Sequence, residues 1–355
     1  MTAALQLSTP RSVCSESCPV GTRKIIPNVT LFCCFNCIPC SEGEITNMTD
    51  MDNCLRCPDE EWPNLLNNKC IKRTVDFLSF SEYLGAIFTS AAILFFIITS
   101  TVLMIFMKYR RTPIVTANNQ NLSYILLVSL MLSFLCPILF IGHPSEITCM
   151  MRQTATGLIF AIAISSVLGK TITVIIAFNA TKPGSKLRKL VGSKITIAFV
   201  PLCSSGELLI CIIWLICSAP FVDYDTKTVP GTIILQCNEG SILAFYLTIS
   251  YIGVLALLSF CVAFFARKLP DSFNEAQFIT FSMLVVCSVW ASFIPAYLST
   301  KGKYTEVVEI FAIFASALGL FGCIFIPKCY IIVCKPQLNT KKHLITKKSI
   351  MSSTM

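Results

Sequence analysis

Seven long apolar runs constrain the fold of this chain more than any other feature of its sequence. The first of them, at residues 83–107, contains no charged residue. A helix needs about 20 apolar residues to cross the hydrocarbon core of a bilayer, and a spanning segment must satisfy its own backbone hydrogen bonds. We therefore predict seven membrane-spanning helices, at about 83–107, 122–142, 153–178, 195–221, 241–266, 278–298 and 307–333.

The composition agrees with a membrane protein. Charged residues make up 13% of the chain and hydrophobic residues 54%, whereas a soluble domain carries about 25% charged residues. The predicted fold is an all-α membrane protein, a seven-helix bundle preceded by a small disulfide-rich extracellular stalk with short β-strands. The predicted parts are the stalk (1–75), the membrane domain (76–335) and a basic cytoplasmic tail (336–355).

The basic residues predict how the bundle is oriented. With the N-terminus outside, the inner segments 108–118, 179–194, 267–276 and the tail from 328 contain 16 Lys and Arg, and the outer loops contain 4. Cytoplasmic loops carry the excess of basic residues in membrane proteins. We therefore expect a multi-pass plasma-membrane protein with an extracellular N-terminus, and the net charge of +9 then reflects contact with anionic lipid rather than nucleic acid.

Nine of the 20 cysteines lie in residues 14–70, four of them in "LFCCFNCIPC" at 31–40. The pairs "CIPC" and "CLRC" approach the spacing of a zinc ribbon. In the extracellular space, however, disulfides persist, and a segment this short buries little core without them. We expect several disulfides, no metal and no cofactor. Because nine is odd, one thiol must stay free or pair elsewhere.

The same orientation predicts the location and the state of two more cysteines and four glycosylation sequons. Cys149 and Cys237 both fall in predicted outer loops, where a bridge would hold the loop 222–240 across the mouth of the bundle; two free thiols are the alternative. Asn28 and Asn47 are predicted to be glycosylated. The remaining two sequons, at 121 and 179, fall on the inner side and are predicted to be bare.

The sequence argues against an enzyme or a transporter. The chain has only two histidines and no nucleophile elbow or phosphate loop. It shows no internal repeat of the kind that many transporters contain. Lys170 and Glu207 lie within predicted spans, where an ionisable residue is a functional candidate by default. Lys170 could also snorkel to the lipid headgroups, and the role of Glu207 stays open.

Several stretches together resemble the class C (family 3) G-protein-coupled receptors, and within them the vomeronasal type-2 pheromone receptors. The resemblance extends from residue 10 to about 337. It is carried by "PRSVCSESCPVG", "CCFNCIPCSEGEITNMTDMDNCLRCP", "TPIVTANNQNLSYILL", "AFNATKPGSKLRKLVGSK", "ARKLPDSFNEAQFITFSMLVVCSVWASFIPAYLSTKGK" and "CIFIPKCYIIVCKP".

The resemblance implies the connectivity of the stalk. The implied bridges are Cys14–Cys34, Cys18–Cys37, Cys40–Cys54 and Cys57–Cys70. Cys33 is left over, and in family members it bonds to a bilobed ligand-binding domain that precedes the stalk. Neither that domain nor a signal peptide is recognisable in "MTAALQLSTP". The expectation is therefore a truncated, alternative or incompletely predicted gene product.

The resemblance also implies a mechanism. Lys170 and Glu275 would form a lock between the third and sixth spans of the inactive state; Gln277 stands where family members commonly carry Lys. An activation core would comprise Trp290, Pro295, Phe325, Pro327, Lys328 and Tyr330. G-protein contacts would comprise Lys182, Lys186, Arg188, Lys189, Phe273 and Asn274. Core packing at Trp290 and a purely topogenic role for the basic loop residues are the plainer alternatives.

The function implied is a chemosensory receptor that passes an extracellular ligand signal through the stalk to a heterotrimeric G protein. The expected partners are that G protein, a second receptor chain in a homo- or heterodimer, and the lipid bilayer. A peptide or small-molecule ligand would act through a missing or partner domain. The alternative is a non-signalling or dimerising partner of full-length receptors.

Overall fold

The computed structural model describes residues 13–26, 34–117, 119–180, 193–267 and 275–338. Within them, seven helices are long and apolar enough to cross a membrane, so the prediction of a seven-helix membrane protein is confirmed. In chain order the helices are α1 (Tyr83–Lys108), the short α2 (Pro113–Ala117), α3 (Gln120–Leu135), α4 (Glu146–Ala180), α5 (Ser193–Ser218), α6 (Ile242–Ala266), α7 (Glu275–Ser299) and α8 (Lys303–Cys334). The spans are α1 and α3–α8, and a 3₁₀ turn (Cys136–Phe140) prolongs α3.

Three helices begin three or more residues earlier than their apolar runs predict. Helix α4 starts at Glu146 rather than 153, α7 at Glu275 rather than 278, and α8 at Lys303 rather than 307. Cys149 and Arg152 therefore lie in a helix and not in an outer loop. The added turns contain charged side chains that find partners inside the bundle, and hydropathy along the sequence does not reveal such partners.

Helix α4 lies at the centre of the bundle. In its most apolar stretch 61% of the residues are buried, whereas in that of α1 only 17% are buried. Ala161, Ala163, Ser165 and Ser166 of α4 are fully buried. Small residues let neighbouring helix backbones approach closely in a membrane, where packing rather than the hydrophobic effect drives association. The outward face of α1 is apolar and suits contact with lipid.

Aromatic side chains fill the space between α1, α3 and α8. The ring of Phe134 stacks on Phe95 with centroids 5.4 Å apart and meets Phe314 and Phe321 at 6.1 and 6.4 Å. Aromatic pairs in such offset and edge arrangements each contribute about 0.5–1.5 kcal/mol beyond the area they bury. These contacts fix the position of α8, which contributes buried charged side chains at both ends of the bundle.

The disulfide-rich stalk precedes the bundle and consists of short antiparallel ladders. Strands β1 (Thr22–Ile25) and β2 (Asn36–Pro39) form one pair, β3 (Glu44–Ile45) and β4 (Leu55–Arg56) a second, and β5 (Glu61–Pro63) and β6 (Cys70–Lys72) a third. The disulfides in this segment are Cys14–Cys34, Cys18–Cys37, Cys40–Cys54 and Cys57–Cys70. These are the pairs that the resemblance implies.

Half-cystines provide much of the buried core of the stalk. Cys18, Cys40 and Cys57 are each at most 9% exposed, and Ile45 is among the few other buried apolar residues there. Each bridge closes a loop of 13 to 20 residues and typically stabilises a small module by about 2–4 kcal/mol. The bridges thus replace the hydrophobic core that so short a segment lacks.

The chain divides into two compact units. The first comprises the stalk to Asp76 together with Tyr224–Ile234, the tip of the loop between α5 and α6. In that unit β7 (Thr74–Asp76) pairs in parallel with the first part of β9 (Thr232–Asn238), and Arg73 donates to the carbonyl of Thr226. Strand β8 (Phe221–Asp225) lies on the other side of β9. The loop tip therefore belongs to the same compact unit as the stalk. The predicted stalk, residues 1–75, does not include this segment.

Asp50 gives the stalk an acid-sensitive contact. Its carboxylate accepts a hydrogen bond from the backbone N–H of Cys18 at 2.8 Å, and Lys24 Nζ lies 3.4 Å away. Mainly the hydrogen bond, and also Lys24, hold the pKa of Asp50 below its ordinary value of 3.8. A depressed pKa contributes stability above the unfolded value, and that stability is lost as the pH falls through the folded value.

We expect acidification to pH ~2.5 to loosen the stalk around Cys18, and Asp50→Asn to abolish most of this pH dependence. Hydrogen-exchange protection factors of a peptide spanning residues 15–24 would measure the effect. The wild type should lose protection between about pH 5 and 2.5, and Asp50→Asn should change little. Equal losses in both proteins would contradict the assignment.

Candidate functional site

Two lysines from different helices meet one carboxylate inside the bundle. Glu275 is the first residue of α7, Lys170 lies on α4 and Lys328 lies on α8. Both ammonium groups donate to Glu275 Oε1, Lys170 at 3.1 Å and Lys328 at 2.7 Å. Lys170 also donates to Ser123 Oγ of α3 at 2.7 Å. We call Glu275, Lys170, Lys328 and Ser123 the lysine cluster.

All three charged members of the lysine cluster are buried. Lys170 is 1%, Lys328 2% and Glu275 4% exposed. A buried charge is tolerated only when it is paired and hydrogen-bonded, because the interior solvates it poorly. Glu275 also lies at the positive end of the α7 dipole, which favours a carboxylate there. One carboxylate thus compensates two ammonium groups, and neither lysine can lose it without an energetic penalty.

The cluster ties four helices together at one end of the bundle. Movement of the first turn of α7 away from both α4 and α8 would remove Glu275 from both lysines. An element held this way favours one of two discrete arrangements rather than a continuum. Chemically the cluster is a closed ionic contact and not a catalytic centre, since its polar atoms face one another.

A second set of buried charges lies at the opposite end of the bundle, beside the Cys149–Cys237 disulfide. Arg152 of α4 donates from Nη1 to Glu306 Oε1 of α8 at 2.6 Å and from Nη2 to the carbonyl of Cys237 at 3.3 Å. Arg152 and Glu306 are each 5% exposed. We call Arg152, Glu306 and the Cys237 carbonyl the arginine clamp.

Further polar contacts surround the arginine clamp. Gln153 donates to both carboxylate oxygens of Glu309, at 3.2 and 3.1 Å. Tyr297 of α7 donates to the side chain of Glu239, whose backbone carbonyl accepts from Trp214 Nε1 at 3.0 Å. Each of the two consecutive residues 152 and 153 of α4 therefore has a carboxylate partner on α8.

A small cavity lies deeper in the bundle. Its volume is about 30 Å³, enough for a few water molecules at most, and its lining is largely apolar. Trp290 lines it and makes edge contacts with Phe160 at 6.0 Å and Phe293 at 5.3 Å. Among the described residues Trp290 Nε1 has no hydrogen-bond partner. Gln153 and Glu309 also line the cavity, so polar groups reach it from the clamp side.

The residues predicted to form an activation core are not brought together. Phe325 is fully buried against Phe106, with ring centroids 5.6 Å apart, and Lys328 belongs to the lysine cluster. Tyr330 is 51% exposed, and Lys335 lies over its ring. Pro295 and Pro327 lie inside α7 and α8. The six residues thus form two separate groups, at 290–295 of α7 and at 325–330 of α8.

Glu207 is fully buried on α5 and sits over Gly157 of α4. A Cβ atom at position 157 would lie 2.6 Å from Glu207 Oε1, so the glycine provides the space for the carboxyl group. Cys211 Sγ contacts Oε1 at 3.8 Å, and Oε2 has no partner among the described residues.

The remaining predicted residues divide into one that the structure describes and several that it does not. Asn47 is exposed in the stalk. Outside the described residues lie Cys33, Asn28, Lys182, Lys186, Arg188, Lys189, Phe273 and Asn274. Within the described part of the chain, no group of three His, Cys, Asp or Glu side chains is arranged to hold a metal ion.

Sequence reasoning misses four charged residues of these sites as members of buried polar contacts: Arg152, Glu306, Glu309 and Lys328. Glu309 and Lys328 lie inside the predicted seventh span, where a charge signals an internal partner by default. Glu306 and Arg152 each lie one residue outside a predicted span. Extending the predicted third and seventh spans by a single residue would include both of them.

Comparison with known proteins assigns the family. The family model described as "7 transmembrane sweet-taste receptor of 3 GCPR" matches residues 78–328, and "Nine Cysteines Domain of family 3 GPCR" matches residues 9–63. Vomeronasal type-2 receptor 26 of Mus musculus is 51% identical over 334 residues, 94% of this chain and 39% of that receptor.

Two further relatives support the same family. Vomeronasal type-2 receptor 116 of Mus musculus is 45% identical over 96% of this chain and 40% of that receptor. The extracellular calcium-sensing receptor of Homo sapiens is 44% identical over 93% of this chain and 31% of that receptor. The chain spans about two fifths or less of the length of these relatives. It belongs to the family 3, or class C, G-protein-coupled receptors, of the vomeronasal and calcium-sensing type.

Proposed function

We propose that this chain is a chemosensory transducer that converts a signal received at its stalk into a rearrangement of α4 and α7, the third and sixth spans, which a heterotrimeric G protein reads. The stalk is proposed to be extracellular and the lysine cluster to lie at the cytoplasmic end of the bundle. Ligand would act through a domain outside this chain or on a partner chain in a dimer.

The lysine cluster is the observation that carries the proposal. Glu275 closes the base of α7 against Lys170 of α4 and Lys328 of α8, at 3.1 and 2.7 Å. Opening a cleft between α4 and α7 requires this carboxylate to leave Lys170. The inactive arrangement is then favoured until a ligand that binds the open state more tightly shifts the population toward it.

Two independent features support the proposed orientation. Lys and Arg are concentrated in the segments assigned to the cytoplasm, as expected from the positive-inside rule. The Cys149–Cys237 disulfide lies at the opposite end, and disulfides persist in the oxidising extracellular space. Glycosylation of the exposed Asn47 is part of the same proposal.

The test is basal signalling of Lys170→Ala. Loss of Lys170 removes one of the two lysines that hold Glu275, so basal G-protein activation should rise several-fold at equal surface expression. Activation would be measured by nucleotide exchange, both on this chain alone and on a chimera carrying the ligand-binding domain of a vomeronasal type-2 receptor. Ser100→Ala, a replacement on α1 remote from the cluster, is the control.

Unchanged or lower basal activity of Lys170→Ala in the chimera would overturn the lock. If the chimera signals and the isolated chain does not, the result would point to the alternative that this chain acts only as a partner of longer receptors. Protease accessibility of the stalk on intact cells tests the orientation separately.

A further inference from the structure

We propose that the arginine clamp regulates the lysine cluster through α8, so that the disulfide-bridged loop controls the opposite end of the bundle. The inference rests on the proposed function for its signalling readout. Its structural basis is independent of signalling and consists of the buried contacts among Arg152, Glu306 and Cys237.

The clamp joins the loop to two helices. Cys237 is bonded to Cys149, which lies in the first turn of α4, one turn before Arg152. The carbonyl of Cys237 accepts from Arg152 Nη2, and Arg152 Nη1 donates to Glu306. Displacement of Cys237 therefore acts on the guanidinium group that also holds α8.

The pairing of Arg152 with Glu306 is specific. Glu309 lies one turn further along α8 and is held by both oxygens to the uncharged Gln153. Glu306 receives the charged donor at 2.6 Å, and the ring of Phe140 lies under the guanidinium at 5.3 Å. A charge-assisted hydrogen bond in so dry a place is stronger than a surface ion pair, and its loss leaves a buried charge unpaired.

The two charged sites use the same two helices. Helix α4 carries Arg152 and Lys170, separated by about 27 Å at 1.5 Å per residue. Helix α8 carries Glu306 and Lys328, separated by about 33 Å. Helix α8 is continuous from Glu306 to Lys328, and Pro327, which removes one backbone hydrogen bond, interrupts its ladder only at the lysine end. Axial movement of Glu306 therefore passes along most of the helix. Release of Glu306 frees α8 to shift against α4, and Lys328 then moves away from Glu275.

The decisive experiment compares Glu306→Gln, Lys328→Met and the double variant in the full chain. Residues this far apart normally have additive effects, to within a factor of about two in an equilibrium constant. If the clamp acts through the cluster, Glu306→Gln should raise basal signalling by itself and add less than about twofold in the Lys328→Met background. Glu82→Gln is the matched control, because it breaks the more exposed Lys303–Glu82 pair at the same start of α8.

Thermal unfolding of the same proteins in lipid nanodiscs provides a readout that needs no G protein. Glu306→Gln should lower the Tm by about 5 °C or more, and the shifts of the two single variants should not add. Non-additive Tm values in a chain that never signals would support the clamp and reject the proposed function. Additive effects in both assays, or unchanged basal signalling of Glu306→Gln in a signalling chain, would overturn the clamp.

Glu306→Asp covers the case in which Glu306→Gln does not reach the membrane. It keeps the charge but shortens the side chain by one methylene, so the 2.6 Å contact is stretched rather than lost. Its effects on basal signalling and Tm should again not add to those of Lys328→Met. Wild-type behaviour of a well-expressed Glu306→Asp, alone and in the Lys328→Met background, would count against the clamp.

Discussion

Replacement of Glu275 by alanine should destabilise the bundle more than any other single substitution in the two charged sites, by about 3–5 kcal/mol or more. The variant leaves Lys170 and Lys328 buried, 1% and 2% exposed, with their shared carboxylate gone. We expect low surface expression and a Tm lowered by about 10 °C. Flow cytometry of tagged receptor and thermal unfolding in nanodiscs would measure the two effects.

A matched variant separates the loss of charge balance from the loss of side-chain volume. Glu275→Ala combined with Lys170→Met and Lys328→Met contains no charge in the cluster, and buried ion pairs replaced by apolar residues are often neutral or stabilising. We expect the triple variant to recover expression and most of the lost Tm. A triple variant as unstable as Glu275→Ala would contradict the view that loss of the carboxylate shared by the two lysines causes the instability.

Removal of the Cys149–Cys237 bridge is the second change with a large expected effect. The bridge spans 88 residues, and a disulfide typically contributes about 2–4 kcal/mol, with larger values for longer loops. Cys237→Ser also removes the covalent bond that holds the backbone carbonyl of residue 237 at 3.3 Å from Arg152 Nη2. We expect loss of most surface expression and a clear drop in Tm, measured as above.

The two half-cystines should behave as one unit. Cys149→Ser, Cys237→Ser and the double variant should be equally impaired, because each of them removes the same bond. Cys217→Ser, at an exposed free cysteine of α5, is the control and should be neutral. Normal expression of either bridge variant, or additive losses in the double variant, would argue against the expected contribution of this bond.

Hydropathy predicts the seven spans because each apolar run exceeds the thickness of the bilayer core. It misplaces the start of α4 and α8 because Arg152 and Glu306 look like loop residues when each is taken alone. Their burial depends on a partner 154 positions away, and no local pattern records that pairing. The ends of the helices are therefore set by tertiary contacts rather than by local composition.

The lysine cluster is only half predictable from the sequence. Lys170 stands out as a charge within a span, and the resemblance associates it with Glu275. The motif places Lys328 only at the end of the last span, although Lys328 donates to the same oxygen at 2.7 Å. Which face of α8 turns toward α7 depends on aromatic packing such as Phe134 against Phe314 and Phe321, and the sequence does not specify that rotation.

The small residue opposite Glu207 has a consequence for how the chain can vary. With a Cβ at position 157 only 2.6 Å from the carboxylate oxygen, even Gly157→Ala conflicts with Glu207 as it stands. A larger side chain at 157 on α4 therefore requires either that the Glu207 carboxyl group move or that residue 207 on α5 be shorter. A replacement of Glu207 by a shorter residue removes the conflict, so the order in which Glu207 changes before Gly157 is the easier route for sequence change in this part of the bundle.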